Sequence, residues 1–178
     1  MTFQTFKNCV FAIALCLMAS VSIKAQEPSQ MQALMGLSLS KLQQQTPEAT
    51  LNCIAELKRI DAMFPDSIQP KYQMALQSLS FSVANPQAEQ TENLLKEAEQ
   101  TIDKMEQMKG ADQSDVCTLR GFLYMVRIVQ NPAQNGQRYY LDVMQNYEKA
   151  LKINPDNQLA QQLQQKFFEG MKQTTGSN

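Results

Sequence analysis

The side chains that could perform chemistry in this chain are cysteines and carboxylates, because its 178 residues include no histidine. Without an imidazole the chain cannot form a serine or cysteine triad with a histidine base, nor a histidine-ligated metal site. The pairs Glu97/Glu99 and Asp112/Asp115 have the spacing of solvated helix faces and helix N-termini. Nothing indicates two carboxylates in opposed environments of one cleft, so we predict that the protein is not an enzyme and uses no cofactor or metal.

Two cysteines, Cys53 and Cys117, lie downstream of the N-terminal apolar segment. A disulfide between them would need Cα atoms within about 7 Å. The repeat described below places the two cysteines on helices that a whole helix pair separates. We therefore expect two separate, mostly buried thiols. Two thiolates without histidine would also make a weak metal site.

Charge and composition exclude one class of partner and favour one class of fold. The formal net charge is −1, from 16 basic and 17 acidic residues. A nucleic-acid-binding protein would need a basic stripe, so we expect no nucleic-acid partner. Only 6 glycines and 7 prolines interrupt a chain rich in glutamine, alanine, leucine and methionine. This composition favours helix over strand.

The first 25 residues have the layout of a secretory signal peptide. Residues 1–25 contain no acidic side chain, Lys7 precedes an apolar run at 10–18, and Ala25 provides a small residue for cleavage. An uncleaved anchor is the alternative, but the apolar stretch is shorter than the roughly 20 residues that span a bilayer. A lipoprotein cysteine at Cys16 is disfavoured because a leucine precedes it. We predict an exported protein, periplasmic or extracellular, with no transmembrane segment after cleavage.

The rest of the chain resembles itself when it is shifted by 45 positions. Apolar positions within each segment recur at three and four residues, so each unit is expected to contain two helices. The coinciding positions are Leu57, Ile102 and Tyr147; Cys53, Ala98 and Val143; Ile60, Met105 and Ala150; Pro65, Gly110 and Pro155; Met31, Leu76 and Gly121; Leu34, Leu79 and Tyr124.

Proline and asparagine–proline steps punctuate these units, and proline disfavours helix in the residue before it. The resulting prediction is three helix pairs followed by one amphipathic helix that caps the stack. Residues 26–172 form this repeat domain, and residues 173–178 form a disordered tail. The predicted helices are 29–45, 47–63, 67–84, 87–109, 113–130, 136–153 and 156–172.

One unit resembles a known repeat family. Tyr147, Ala150 and Pro155 have the spacing that ends a tetratricopeptide repeat, and Gly121 and Tyr124 look like that family's first-helix glycine and tyrosine. The resemblance implies an all-α fold, an α-solenoid of three helix-turn-helix repeats plus a C-terminal capping helix. The chain departs from the family in its period, which is 45 against the usual 34 or so. The first two units also lack most of the family's consensus residues.

The family geometry implies a binding groove along the first helices of successive units, with no catalytic residue to carry over. Helix 113–130 is apolar on every side, which indicates either enclosure by neighbours or a surface for a partner. We expect enclosure for most of it, and we expect the many methionines to fill core space. The predicted groove lining, paired by the repeat register, is Gln73 with Thr118, Gln77 with Phe122, and Ser80 with Met125.

These observations predict a non-enzymatic scaffold or adaptor of the cell envelope that binds a protein or peptide. One alternative is a self-associating structural protein, which would form a homodimer with two-fold symmetry. Another is a carrier that holds an apolar small molecule between helices 67–84 and 113–130.

Overall fold

The structure, a computed structural model, describes residues 30–175, with side chains up to Lys172. This part of the chain forms seven α-helices and one short 3-10 helix, and it contains no β-strand. The all-α prediction is confirmed for these residues. The helices are α1 (Gln30–Ser40), followed by the 3-10 helix Lys41–Gln44, α2 (Pro47–Met63), α3 (Ile68–Ala84), α4 (Thr91–Gln107), α5 (Gln113–Gln130), α6 (Pro132–Ile153) and α7 (Gln158–Thr175).

Two predicted segments fall wholly or partly outside this range. The signal peptide predicted at 1–25 lies outside the described residues. Of the tail predicted at 173–178, the backbone of the first three residues continues α7 to Thr175, and 176–178 lie outside.

Two helices begin at other residues than predicted: α6 begins at Pro132 and not at 136, and α4 begins at Thr91 and not at 87. Asn131 is the N-cap, and its side chain accepts a hydrogen bond from the backbone N–H of Gln134 at 3.3 Å. Proline is well placed at the first helical position, because its missing N–H would have had no intrahelical partner there. The proline that was interpreted as a stop therefore begins the helix.

The first predicted helix is also shorter than expected. α1 ends at Ser40, and the chain continues as the 3-10 helix. Gln45 then adopts a left-handed backbone conformation, with φ of 54°. The side chain of Thr46 accepts a hydrogen bond from Ala49 N–H at 3.1 Å and caps α2.

Each helix packs against the next one along the chain, and two further contacts skip a helix. α3 contacts α5, and α5 contacts α7. The first helices of the second and third predicted pairs therefore touch each other, and the final helix touches the first helix of the third pair.

The apolar core of the described residues has two main parts, and α3 belongs to both. Met74 and Phe81 of α3 join a cluster with side chains of α1 and α2. Leu79 and Val83 of α3 join a second cluster that continues through α4, α5, α6 and α7. Twelve of the 17 residues of α3 are buried, so this helix is enclosed on all sides.

The second helices of the predicted pairs bury the same register positions. Leu57, Ile102 and Tyr147 each have 0% of their surface exposed. Two further sets of coinciding positions are also buried: Cys53, Ala98 and Val143, and Ile60, Met105 and Ala150.

Each turn between predicted units contains a backbone hydrogen bond between residues three positions apart. The N–H of Ser67 donates to Phe64 O at 3.0 Å, and the N–H of Asn157 donates to Asn154 O at 3.1 Å. In the middle turn the corresponding bond comes one residue earlier, from Ala111 N–H to Met108 O at 3.2 Å. Gly110 lies in this turn with a φ of 87°, a conformation that side-chain-bearing residues seldom adopt.

Candidate functional site

The six residues predicted to line a groove lie on α3 and α5, two helices that contact each other. We call these six the α3/α5 row. Gln73 is half-buried and the other five are buried, each with 2% or less of its surface exposed. They are Gln77, Ser80, Thr118, Phe122 and Met125. No partner is present, so a role of the row in binding stays a prediction.

On α3 the residues of the row lie on a different face from the side chains that enter the two core clusters. At about 100° per residue, Gln73, Gln77 and Ser80 project between the face that carries Met74 and the face that carries Leu79. The Gln77 amide donates to Gln73 Oε1 at 3.4 Å, and the Ser80 hydroxyl has no hydrogen-bond partner among the described residues. This side therefore presents amide donors, amide acceptors and an unused hydroxyl in a largely apolar setting.

An unpartnered hydroxyl is not unique to the row. Ser82, on the opposite side of α3, is fully buried and also lacks a hydrogen-bond partner within residues 30–172. The unused hydroxyl of Ser80 therefore does not by itself mark a binding site.

On α5 the row is part of the structural core. The Thr118 hydroxyl donates to Ser114 O at 2.7 Å, within the helix. Phe122 and Met125 belong to the second core cluster. Eleven of the 18 residues of α5 are buried, which confirms the expectation that this helix is largely enclosed.

α6 packs closely against the backbone of α5 at Gly121. A Cβ atom placed on Gly121 would lie 2.8 Å from Cε1 and 2.9 Å from Cδ1 of Tyr147. The Tyr147 ring is fully buried, and its hydroxyl donates only to the Met125 sulfur, at 3.9 Å. Gly121 therefore lies where the packing of α6 on α5 leaves no room for a side chain.

A polar node that the sequence reasoning missed joins α7 to α5. Asn157 precedes α7, and its Oδ1 accepts from Ala160 N–H at 3.0 Å, so it caps the helix. Its amide nitrogen lies 2.9 Å from Ser114 Oγ, 3.1 Å from Asp115 Oδ1 and 3.3 Å from Thr118 Oγ1. We call Asn157, Ser114, Asp115 and Thr118 the Asn157 node.

The two carboxylates at the start of α5 have different roles. Asp112 caps the helix as predicted, accepting from Ser114 N–H at 2.7 Å and Asp115 N–H at 3.3 Å. Burial, and then the charge of Asp112, raise the pKa of Asp115, and the bond from Asn157 opposes them. Burial also raises the pKa of Tyr72 on α3, followed by the charges of Asp115 and Asp112. The pKa of the Asp115 carboxyl therefore lies above the ordinary aspartate value, chiefly because of burial.

The thiols show no sign of activation. Cys53 and Cys117 are free and buried, as expected, and they lie in different core clusters. Burial raises the pKa of both. Since the thiolate is the nucleophile and the metal ligand, both side chains are held in their unreactive form.

Half-buried tyrosines of α5 and α6 make two aromatic contacts, one of them with the buried ring of Phe167 on α7. Tyr124 stacks on Tyr139 with ring centroids 5.3 Å apart, and the Arg138 guanidinium lies 5.0 Å from the centroid of Tyr139. Tyr140 contacts Phe167 with a centroid separation of 5.5 Å. The pattern of the sequence did not reveal these contacts, because the rings come from three helices.

Two features are absent from the part of the chain that the structure describes. No three histidine, cysteine, aspartate or glutamate side chains are grouped so that they could hold a metal ion. None of the described helices combines the length and the apolar character needed to cross a membrane.

Comparison of the chain with protein-family models, curated proteins and solved structures gives no match. The likeness to tetratricopeptide repeats therefore depends on the spacing and identity of the residues given above, together with the packing of the helices.

Proposed function

We propose that the chain is an exported, non-enzymatic helical-repeat scaffold of the cell envelope that binds another protein or a peptide through the α3/α5 row. The observation that carries this proposal is the pattern of helix contacts. Besides the contacts between consecutive helices, α3 touches α5 and α5 touches α7. Stacked helix pairs of this kind present the first helices of successive units side by side, which is how helical repeat proteins form extended binding surfaces.

The shared burial of equivalent positions supports the same proposal. Leu57, Ile102 and Tyr147 are 45 positions apart and are all fully buried. A stack of related units requires this equivalence, because each unit buries the same helix face against its neighbours.

The available chemistry favours binding over catalysis. Both thiols are buried with a raised pKa, and the Glu97 carboxylate pairs with Lys58 at 2.5 Å. By contrast, the α3 side of the row offers glutamine amides that can both donate and accept hydrogen bonds. Because Gln77 and Ser80 are buried, a partner that uses them must open the row, and half-buried Gln73 is the position it would contact first.

The rival functions have weaker support. A carrier would hold an apolar molecule between α3 and α5, but the residues of the α3/α5 row include the polar side chains of Gln77, Ser80 and Thr118. A homodimer would need a continuous apolar face. The large apolar side chains that are exposed, such as Leu37, Met63 and Leu141, are distributed over three helices.

An affinity experiment with matched variants tests the proposal. Immobilised residues 26–178 would be exposed to an envelope extract of the host as wild type, Gln73→Lys and Gln100→Lys. Gln100 is an exposed residue of α4 and serves as the control. We expect a partner that wild type and Gln100→Lys retain and that Gln73→Lys loses by about tenfold or more, equivalent to at least 1.4 kcal/mol. Equal recovery by all three proteins, or no specific recovery, would contradict the proposal.

A further inference from the structure

We propose that Asn135 and Gly136, near the start of α6, form a site of spontaneous deamidation. There the side-chain amide of the asparagine is converted to a carboxylate, and the junction between α5 and α6 is weakened. This modification is independent of the proposed binding function. It requires no enzyme, because water is the only co-reactant.

The chemistry follows from the two residue types. Asparagine is among the thermolabile residues of proteins, and Asn135 is the only asparagine of the 178 residues that a glycine follows. The Gly136 nitrogen attacks Cγ of Asn135, so that a succinimide ring closes and the amide nitrogen leaves as ammonia with the Gly136 proton. Water then opens the ring to an aspartate or isoaspartate carboxylate. Glycine favours ring closure because it has no Cβ atom to hinder the approach or restrict its backbone.

Several other asparagines each lack one requirement of this reaction. Asn85, Asn131 and Asn154 precede a proline, whose nitrogen carries no proton and cannot close the ring. Asn93 is exposed near the start of α4 but precedes a leucine, whose side chain hinders attack by its nitrogen. Asn93 is therefore an internal comparison, because it is an exposed helical asparagine of the same protein.

The first turns of α6 open more easily than the rest of the helix. Of residues 132–138, five are exposed, and only Asn135 and Gly136 are half-buried. The first buried residue of α6 is Val143. In the closed helix the Gly136 N–H is directed along the helix axis toward the preceding turn. Local opening frees this nitrogen for attack, and opening costs least where few apolar side chains are buried.

The Asn135 amide also joins the start of α6 to the end of α5. Its Nδ2 donates to the backbone oxygen of Arg127 at 2.6 Å. The N–H of Asn131 reaches the same oxygen only at the longer distance of 3.4 Å. While the shorter bond is made, it holds the side-chain amide against α5, so deamidation proceeds from the opened arrangement.

Deamidation therefore changes the contact between the two helices. A carboxylate at position 135 has no proton to donate to Arg127 O. It also brings a negative charge to the C-terminal end of α5, where the helix dipole disfavours anions. Isoaspartate in addition places a side-chain carbon in the main chain, which disrupts the spacing of the α6 hydrogen bonds.

Peptide mapping by mass spectrometry during storage tests the site. A protein of residues 26–178 would be incubated at mildly alkaline pH, which favours attack by the backbone nitrogen, as wild type and as Gly136→Ala. We expect Asn135 to deamidate before Asn93 in wild type, and at least several-fold more slowly in Gly136→Ala. A Cβ at position 136 meets nothing within 4 Å, so this variant should fold normally.

Two results would overturn the site: deamidation at Asn135 no faster than at Asn93, or equal rates at Asn135 with glycine and with alanine at position 136. Incubation in urea that unfolds the protein tests the dependence on opening. Asn135 should react faster there than in the native protein, and an unchanged rate would contradict control by the start of α6.

A melting experiment tests the effect on the fold. Asn135→Asp should lower the melting temperature by about 2–4 °C, as expected for the loss of one hydrogen bond in a domain of this size. Gln137→Glu is the control, because it adds the same charge at an exposed position of the same helix. Its melting temperature should change less. Equal melting temperatures of the two variants would contradict a junction that depends on the Asn135 amide.

Discussion

The side chain of Tyr147 on α6 packs directly over the α-carbon of Gly121 on α5, so that the tyrosine ring occupies the space that a side chain at position 121 would fill. Any Cβ atom at position 121 would be 2.8 Å from the tyrosine ring, closer than real Cβ contacts occur. Neither residue can therefore change size independently of the other. The contact also joins two different sets of coinciding positions in the 45-residue register. Gly121 belongs to a set on the first helices, and Tyr147 belongs to a set on the second helices.

Substitution of this glycine should cost stability although alanine is the better helix former. For Gly121→Ala we expect a loss of about 1–3 kcal/mol in the free energy of unfolding, because a buried tyrosine must move. Gly136→Ala is the matched control, since a Cβ at position 136 of α6 meets nothing within 4 Å. That variant should gain up to about 1 kcal/mol from helix propensity. Urea unfolding measures both, and equal effects would contradict the close approach.

Loss of a buried lysine should lower the free energy of unfolding more than loss of an exposed lysine that is also ion-paired. Lys71 is 6% exposed, and its ammonium donates to Asp61 Oδ1 at 2.7 Å and to the backbone oxygens of Pro65 and Ser67. We expect Lys71→Ala to cost about 1–3 kcal/mol, because it leaves these acceptors without their donor.

The matched control for Lys71 is Lys58→Ala, which removes the exposed ion pair with Glu97. Such surface pairs contribute less than about 1 kcal/mol. In chemical denaturation, the midpoint of Lys71→Ala should lie clearly below that of Lys58→Ala. If the two midpoints shifted equally, the loop between α2 and α3 would not depend on the buried ammonium.

The stability that the exposed ion pair between Glu92 and Arg127 contributes should decrease on acidification. The hydrogen bond from Arg127 lowers the pKa of Glu92, with a further contribution from the charge of Arg127. A lowered pKa gives stability that is present above the unfolded pKa and is lost as the pH falls through the folded value. We expect Glu92→Gln to reduce the drop in melting temperature on acidification. An unchanged acid profile would show that this pair contributes nothing.

Thiol labelling should report two protected cysteines. Because Cys53 is 0% and Cys117 is 4% exposed, a thiol reagent should react slowly with the native protein. After denaturation without reductant, it should label two thiols in a protein of residues 26–178. Absence of labelling in the denatured protein would reveal a disulfide and contradict the separation of the two cysteines into different clusters.

Helix number and most helix ends could be predicted from the sequence, because proline and cap residues act locally. The start of α6 was misplaced because Asn131-Pro132 suits both a stop and an N-cap followed by a first helical residue. The Asn157 node could not be predicted, since it depends on a side chain that bridges residues about 40 positions apart. The burial of the α3/α5 row could not be predicted from the sequence either. Periodicity groups Gln77 and Ser80 on one side of α3, but burial of that side depends on tertiary packing.

Site-specific photocrosslinking in the native envelope tests the central proposal most directly. A photoreactive side chain would replace Gln73, on the α3/α5 row, or Gln100, on the exposed face of α4. Our account predicts one defined crosslinked partner from position 73 that position 100 does not yield, with the crosslink competed by excess unlabelled protein. Crosslinks of equal yield and identity from both positions, or a chain crosslinked at position 73 only to copies of itself, would contradict a partner-binding row.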